Sequence, residues 1–184
     1  IDALEKKIHV VTANKALIAL HGNELSKISK NNKCDVGYEA SVAGAVPIIK
    51  VIRESLNSNE IHWVAGIING TTNYILTEML KSKKDFDEVL KEAKDLGYAE
   101  SDPTFDIDGI DAAHKLTILS SICFGIPLNF KSIYVEGIDN IELDDLNYAK
   151  ELGYVIKHLA IGRKNNLGIE LRVHPSLIPN SRLL

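Results

Sequence analysis

Ile8-His9-Val10-Val11-Thr12-Ala13-Asn14-Lys15 reads as a short strand that turns directly into a helix. The β-branched run from Ile8 to Ala13 fits a buried strand. Asn14 is a good N-cap, and the apolar spacing of Ala16, Leu17 and Leu20 carries a helix onward from Lys15. Strand, short turn and helix make half of a βαβ unit. Lys15 then stands just past the carboxyl end of the strand, where open α/β sheets place their ligands.

Beyond Asn31-Asn32-Lys33 the pattern changes. The stretch from Gly37 to Pro47 is rich in small residues, and a helix to about Asn57 follows it. Ile61 to Asn69 reads as a second apolar strand, with Thr71-Thr72 capping a helix that carries Tyr74, Ile75, Leu76, Met79 and Leu80. Asp85 and Glu88 resemble a capping box for an amphipathic helix to Leu96, which Gly97 stops. A helix from about Gly109 to Ile122 and a short one from Asp144 to Leu152 come next, the latter with Gly153 as its stop. Val155 to Ile161 and Gly168 to His174 read as paired strands turning at Lys164-Asn165-Asn166. The expected layout is the tail of an α/β domain over residues 1–34, joined to an α+β domain over 35–184 with a mixed or antiparallel sheet.

At 184 residues and 20.3 kDa the chain can bury one good core with a small second lobe. A net charge of -4 and a pI near 5.9 argue against a nucleic-acid surface, which needs clustered Lys and Arg. The lysines instead lie among acids, as in Lys81-Ser82-Lys83-Lys84-Asp85, which reads as a solvated helix end. No stretch approaches about 18 consecutive apolar residues, so no transmembrane helix is expected. Nor does the start look like a signal peptide. Cys34 and Cys123 form no CxxC pair and fit free thiols in a reducing compartment, so a cytoplasmic protein is expected. The chain begins at Ile1 and its only methionine is Met79, as a piece of something longer would.

The chemistry concentrates between Gly97 and Lys115. Glu100, Asp102, Asp106, Asp108 and Asp111 crowd this stretch, Pro103 stiffens it, and it ends on a lysine. Asp111 and Lys115 share a helix face at i,i+4. Taken alone, such a pair is a surface contact worth about 0.3–0.5 kcal/mol. So many acids in one loop repel one another unless a cation or donor is present, and a site that holds a substrate ammonium and moves a proton supplies both. Asp102, before Pro103, is the best turn former among them.

Other segments carry weaker signals. Gly66 to Tyr74 ends a strand and opens a helix, where exposed N–H groups either bind an anion or simply cap. Glu39, with the backbone carbonyls of the Val42-Ala43-Gly44 stretch, could offer oxygens to a hard cation. The histidines show no HxxxH or HExxH spacing, which argues against zinc. No GxG pattern occurs, so the dinucleotide fingerprint is missing.

Together these segments resemble the homoserine dehydrogenases. The resemblance rests on Val11-Thr12-Ala13-Asn14-Lys15, on Gly66 through Leu76, and on Ala93 through Glu100 with Asp102-Pro103, Asp106-Ile107, Gly109, Asp111 and Lys115. It runs over essentially the whole chain. It implies a Rossmann-like nucleotide-binding domain, of which residues 1–34 are the tail, and an α+β catalytic domain that pairs into a homodimer. The implied activity is the reduction of L-aspartate 4-semialdehyde to L-homoserine with NADPH or NADH, on the route to threonine and methionine. Lys115 matches the proton donor, and Lys15 the second lysine near substrate and nicotinamide. Glu100 and Asp111 match the acids that grip the substrate's amino-acid end, with Asp106 in support. Gly97 matches a backbone contact to the cofactor, and Glu39 with the carbonyls of Val42, Gly44 and Val46 matches a sodium site.

This chemistry agrees with the residues. Hydride delivered to an aldehyde carbon leaves charge on oxygen, which a positioned ammonium stabilises and protonates. Two lysines lower each other's pKa, while Glu100 and Asp111 pull the other way until a substrate ammonium neutralises them. The family's Gly-rich cofactor loop and Gly-rich return segment lie outside this sequence, so a central fragment with negligible turnover by itself is expected. A second reading is a non-catalytic dimerisation or ligand-binding domain that keeps the fold. Thermal stabilisation by homoserine that is lost in Asp111→Ala separates the two.

Overall fold

A computed structural model describes residues 1–182. After a helical turn, α1 (Asp2–Glu5), strand β1 (Val10–Val11) leads into helix α2 (Lys15–Asn32). Asn14 caps α2 as its sequence predicts, its side chain accepting from Leu17 N–H at 2.9 Å. Lys33 ends the helix in the left-handed region, φ 54°. Strand β2 (Val36–Gly37) then pairs in parallel with β1, Val10 facing Val36 and Val11 facing Gly37. The βαβ unit is thus closed. Strand β1 is shorter than the apolar run suggests, because β2 offers a ladder of only these two residues and Thr12 Oγ1 already accepts from Asn14 N–H.

Helix α3 (Ile48–Lys50) runs into a π-helical stretch, Val51–Ser55. Strand β3 (Trp63–Gly66) stops short of Asn69, because Asn69 caps helix α4 (Gly70–Ser82). Its Oδ1 accepts from Thr72 N–H at 2.9 Å, so the cap is Asn69 and not Thr71-Thr72. Helix α5 (Phe86–Asp95) follows Asp85, whose side chain makes no capping bond, so the expected box is absent. Gly97, at φ +75°, ends it with Tyr98 N–H donating to Ala93 O at 2.8 Å, the backward bond of a left-handed C-cap.

Asp102 turns the next loop as expected, accepting from Thr104 N–H at 3.1 Å. There the chain adds a one-turn helix, α6 (Thr104–Ile107), that the sequence pattern does not announce. Helix α7 (Ile110–Phe124), strand β4 (Tyr134–Val135) and helix α8 (Leu143–Glu151) follow, and Gly153 stops α8 at φ +83°. A hairpin of β5 (Tyr154–Asn165) and β6 (Gly168–Pro179) follows; β5 is longer at both ends than the alternation suggests, and β6 starts at Gly168 as expected but runs on past His174. Its turn is therefore Asn166-Leu167, where Leu167 N–H donates to Asn165 Oδ1 at 2.8 Å. The four-stranded order is β3-β5-β6-β4. A hairpin makes β5 and β6 antiparallel, whereas β4 runs parallel to β6, so the sheet is mixed.

Two compact units emerge, 1–64 with 114–133 and 162–171, and 65–113 with 134–161 and 172–184. The first has a core of Leu4, Ile18, Leu25, Val42, Ile49 and Ile118. The second buries Ile75, Leu76, Met79, Val89, Ile138 and Leu146. Among the described residues no helix is long and apolar enough to cross a membrane. Both cysteines are free thiols.

Candidate active site

The centre of the second unit's polar chemistry is Asn69, a residue to which the sequence pattern gave no role beyond ending a strand. Its side-chain amide is buried, 4% exposed. The Nδ2 group donates to Asp106 Oδ1 at 2.7 Å and to Asp111 Oδ2 at 2.9 Å. Its Oδ1 accepts from Thr72 N–H at 2.9 Å and Thr72 Oγ1 at 3.1 Å. One amide therefore spends both donors on two carboxylates while capping α4. The signal that could have found it is the polar residue at the junction of an apolar strand and Gly70-Thr71-Thr72.

Each acid is delivered by its own element. Asp106 sits in α6, which the Asp102 turn initiates, and Asp111 opens α7. Between them Gly109, at φ +80°, bends the chain so that both carboxylates converge. Asp111 is 5% exposed and Asp106 half-buried. A carboxylate taken so far from water needs donors or a cation, and the pair concentrates negative charge at one point. Asp102 keeps its carboxyl below the usual range because the Thr104 side chain and N–H hydrogen-bond to it.

The loop of Gly97 and Glu100 is anchored through Tyr98. Thr71 Oγ1 donates to Tyr98 O at 3.0 Å, and the Tyr74 and Tyr98 rings lie 4.8 Å apart. Glu100 is exposed. A Cβ at Gly97 would meet nothing within 4 Å, so its backbone is open to a flat ligand. The structure thus joins Asp106 and Asp111 through Asn69 and holds the Gly97–Glu100 loop beside the first turn of α4.

Lys15 and Lys115 fall in the first unit, both half-buried, Lys15 as the first residue of α2 and Lys115 on α7 one turn after Asp111. Glu39 clasps the start of α3, Oε1 accepting from Ile49 N–H and Oε2 from Lys50 N–H, each at 2.9 Å. The Val46 carbonyl accepts from Ile48 N–H at 2.8 Å. Carboxylate and carbonyl oxygens each keep a second lone pair, and oxygen is the donor type that a hard cation takes. Among the described residues no three His, Cys, Asp or Glu side chains gather as a metal cluster.

Compared with known proteins, this chain falls among dehydrogenases, a class of oxidoreductases. The family model for homoserine dehydrogenase matches residues 47–184, and the chain belongs to that family. It is 58% identical to the homoserine dehydrogenase of Pseudomonas aeruginosa over 184 residues, covering 100% of this chain and 42% of that protein. The Bacillus subtilis homoserine dehydrogenase is 47% identical over 180 residues, covering 98% of this chain and 42% of that protein. A solved homoserine dehydrogenase from Thiobacillus denitrificans matches with a TM-score of 0.97 and 58% identity, over 98% of this chain and 42% of that one. A hyperthermophilic archaeal homoserine dehydrogenase, solved in complex with NADPH, matches with a TM-score of 0.82 and 32% identity, over 99% of this chain and 52% of that one. The chain spans less than half the length of these bacterial relatives.

Proposed function

We propose that this chain carries the substrate side of a homoserine dehydrogenase, reducing L-aspartate 4-semialdehyde to L-homoserine in threonine and methionine biosynthesis. The observation that carries the reading is the acid pair Asp106 and Asp111, gathered on one buried amide at the start of the helix that bears Lys115. In this reading Glu100 and Asp111 hold the substrate ammonium, and Asp106 steadies Asp111 through Asn69. Lys115 gives the proton to the carbonyl oxygen as charge develops there, and Lys15 adds a second positive charge nearby. The bound nicotinamide, NADPH or NADH, supplies the hydride. Gly97 leaves room for it, since no side chain fills the space above its Cα. Glu39 with the carbonyls of Val42, Gly44 and Val46 holds a sodium ion, which would stiffen the loop before α3.

In the same reading residues 1–34 belong to the nucleotide-binding domain and 35–184 to the catalytic and dimerisation domain, with the enzyme a cytoplasmic homodimer. The test is steady-state kinetics on the intact enzyme. Lys115→Met should lower kcat about 10²–10⁴-fold, the usual worth of a general acid, with little change in homoserine KM. Asp111→Asn should chiefly raise homoserine KM. Unchanged kinetics in both variants would refute the assignment. For the cation, sodium chloride should raise the unfolding temperature over choline chloride at equal ionic strength, and Glu39→Gln should abolish the difference.

A further inference from the structure

Beneath the acid pair lies a buried polar residue that the reaction does not itself use. His158, on β5, is 1% exposed. Its Nε2 lies 2.9 Å from Glu136 O, while its Nδ1 is buried with no hydrogen-bond partner. Gly109 rests on this ring: a Cβ there would stand 3.1 Å from His158 Cε1 and 3.3 Å from Nε2. Gly109 is the residue whose turn brings Asp106 and Asp111 together, and its N–H donates to Asp106 O at 2.9 Å. The ring is thus the floor of that turn.

The backbone of the same histidine is held from the other side. Asn73 Oδ1 accepts from His158 N–H at 3.0 Å, and Asn73 Nδ2 donates to His158 O at 3.1 Å. The side-chain amide thus pairs with both backbone polar groups of His158. The Nδ2 group also donates to Asn69 O at 3.1 Å. Asn69, in turn, grips both acids. A closed circuit results, running from the His158 ring through Gly109 to the acids, then through Asn69 and Asn73 back to the His158 backbone. A core that needed only volume here would be filled by an aliphatic side chain without leaving a buried nitrogen unsatisfied, which costs stability.

We propose that Asn73 and His158 form a positioning unit that sets the separation and orientation of Asp106 and Asp111 for an ammonium-bearing substrate. The inference rests on the reading of Asp111 as a substrate ligand. Neither residue touches substrate in this account. They act by holding two carboxylates from different elements in one register, and misplacing such groups by about 1 Å is enough to cost binding and rate heavily.

The experiment is steady-state kinetics on the intact enzyme with His158→Leu, His158→Gln, Asn73→Ala and Asp111→Asn. His158→Leu and Asn73→Ala should each raise homoserine KM about tenfold or more with cofactor KM unchanged. His158→Gln, whose amide can still donate to Glu136 O, should recover most of the loss. If His158→Leu does not yield folded enzyme, Asn73→Ala, which releases the His158 backbone from the same circuit, carries the expectation. The proposal is overturned if Asp111→Asn raises homoserine KM while the other folded variants stay within about twofold of wild type. An unchanged KM in Asp111→Asn overturns the substrate-site reading itself, and this inference with it.

Discussion

His158 has its pKa pushed below the ordinary histidine value of 6.5, chiefly because burial disfavours the charged ring. The unfolded chain, titrating near 6.5, therefore binds the proton that the folded chain refuses, and stability rises with pH across that interval. Acidification from 6.5 toward the depressed folded value should lower the urea midpoint. His158→Gln should flatten that slope, and equal slopes in both proteins would show that other groups dominate. Burial also raises the Cys123 thiol to about 11, so the native protein should react far more slowly with a thiol reagent at neutral pH than the unfolded one.

Helices here begin and end on single residues, and those were partly legible in advance. Asn14, Gly97 and Gly153 announce themselves because capping chemistry is local. The sequence pattern points to Thr71-Thr72 as the cap of α4, because Asn69 reads equally well as the end of the apolar strand before it. Only tertiary contact with Asp106 and Asp111 decides the matter. Helix α6 was invisible for a similar reason, since a one-turn helix has no periodicity to show. At Gly97 the left-handed φ of +75° favours glycine. Gly97→Ala should cost about 1 kcal/mol or slightly more in a denaturant titration. Since nothing lies within 4 Å of the added methyl, the loss should come from the backbone and not from a clash.

Across the whole chain the opening strand and helix, the longer helices and the closing hairpin follow from apolar spacing and turn residues. Pairing was harder to read. The parallel contact of β4 with β6 joins residues far apart in sequence, and no local pattern encodes it. The acids of the site were legible as a crowd, but the amide that organises them was not. The two cores set where substitutions are felt. Met79, fully buried, should cost about 2–5 kcal/mol as Met79→Ala. Leu167, 99% exposed in the hairpin turn, should change stability by no more than about 0.5 kcal/mol as Leu167→Ser. A urea titration of each variant checks both.

The Asn69-Gly70 junction gives the site a clock. An asparagine followed by glycine is open to attack by the next backbone nitrogen on its own side-chain carbonyl, with release of ammonia and later hydrolysis to an acid. Asparagine counts among the heat-labile residues for such reasons. At most positions that ageing adds one harmless surface charge. At Asn69 it would turn the donor between two carboxylates into a third carboxylate, so repulsion would replace the bridge. The four hydrogen bonds on that amide also restrain the rotation that the attack requires. Storage life of the acid pair should therefore track how tightly those bonds hold, and a loosened variant should age first at this one residue.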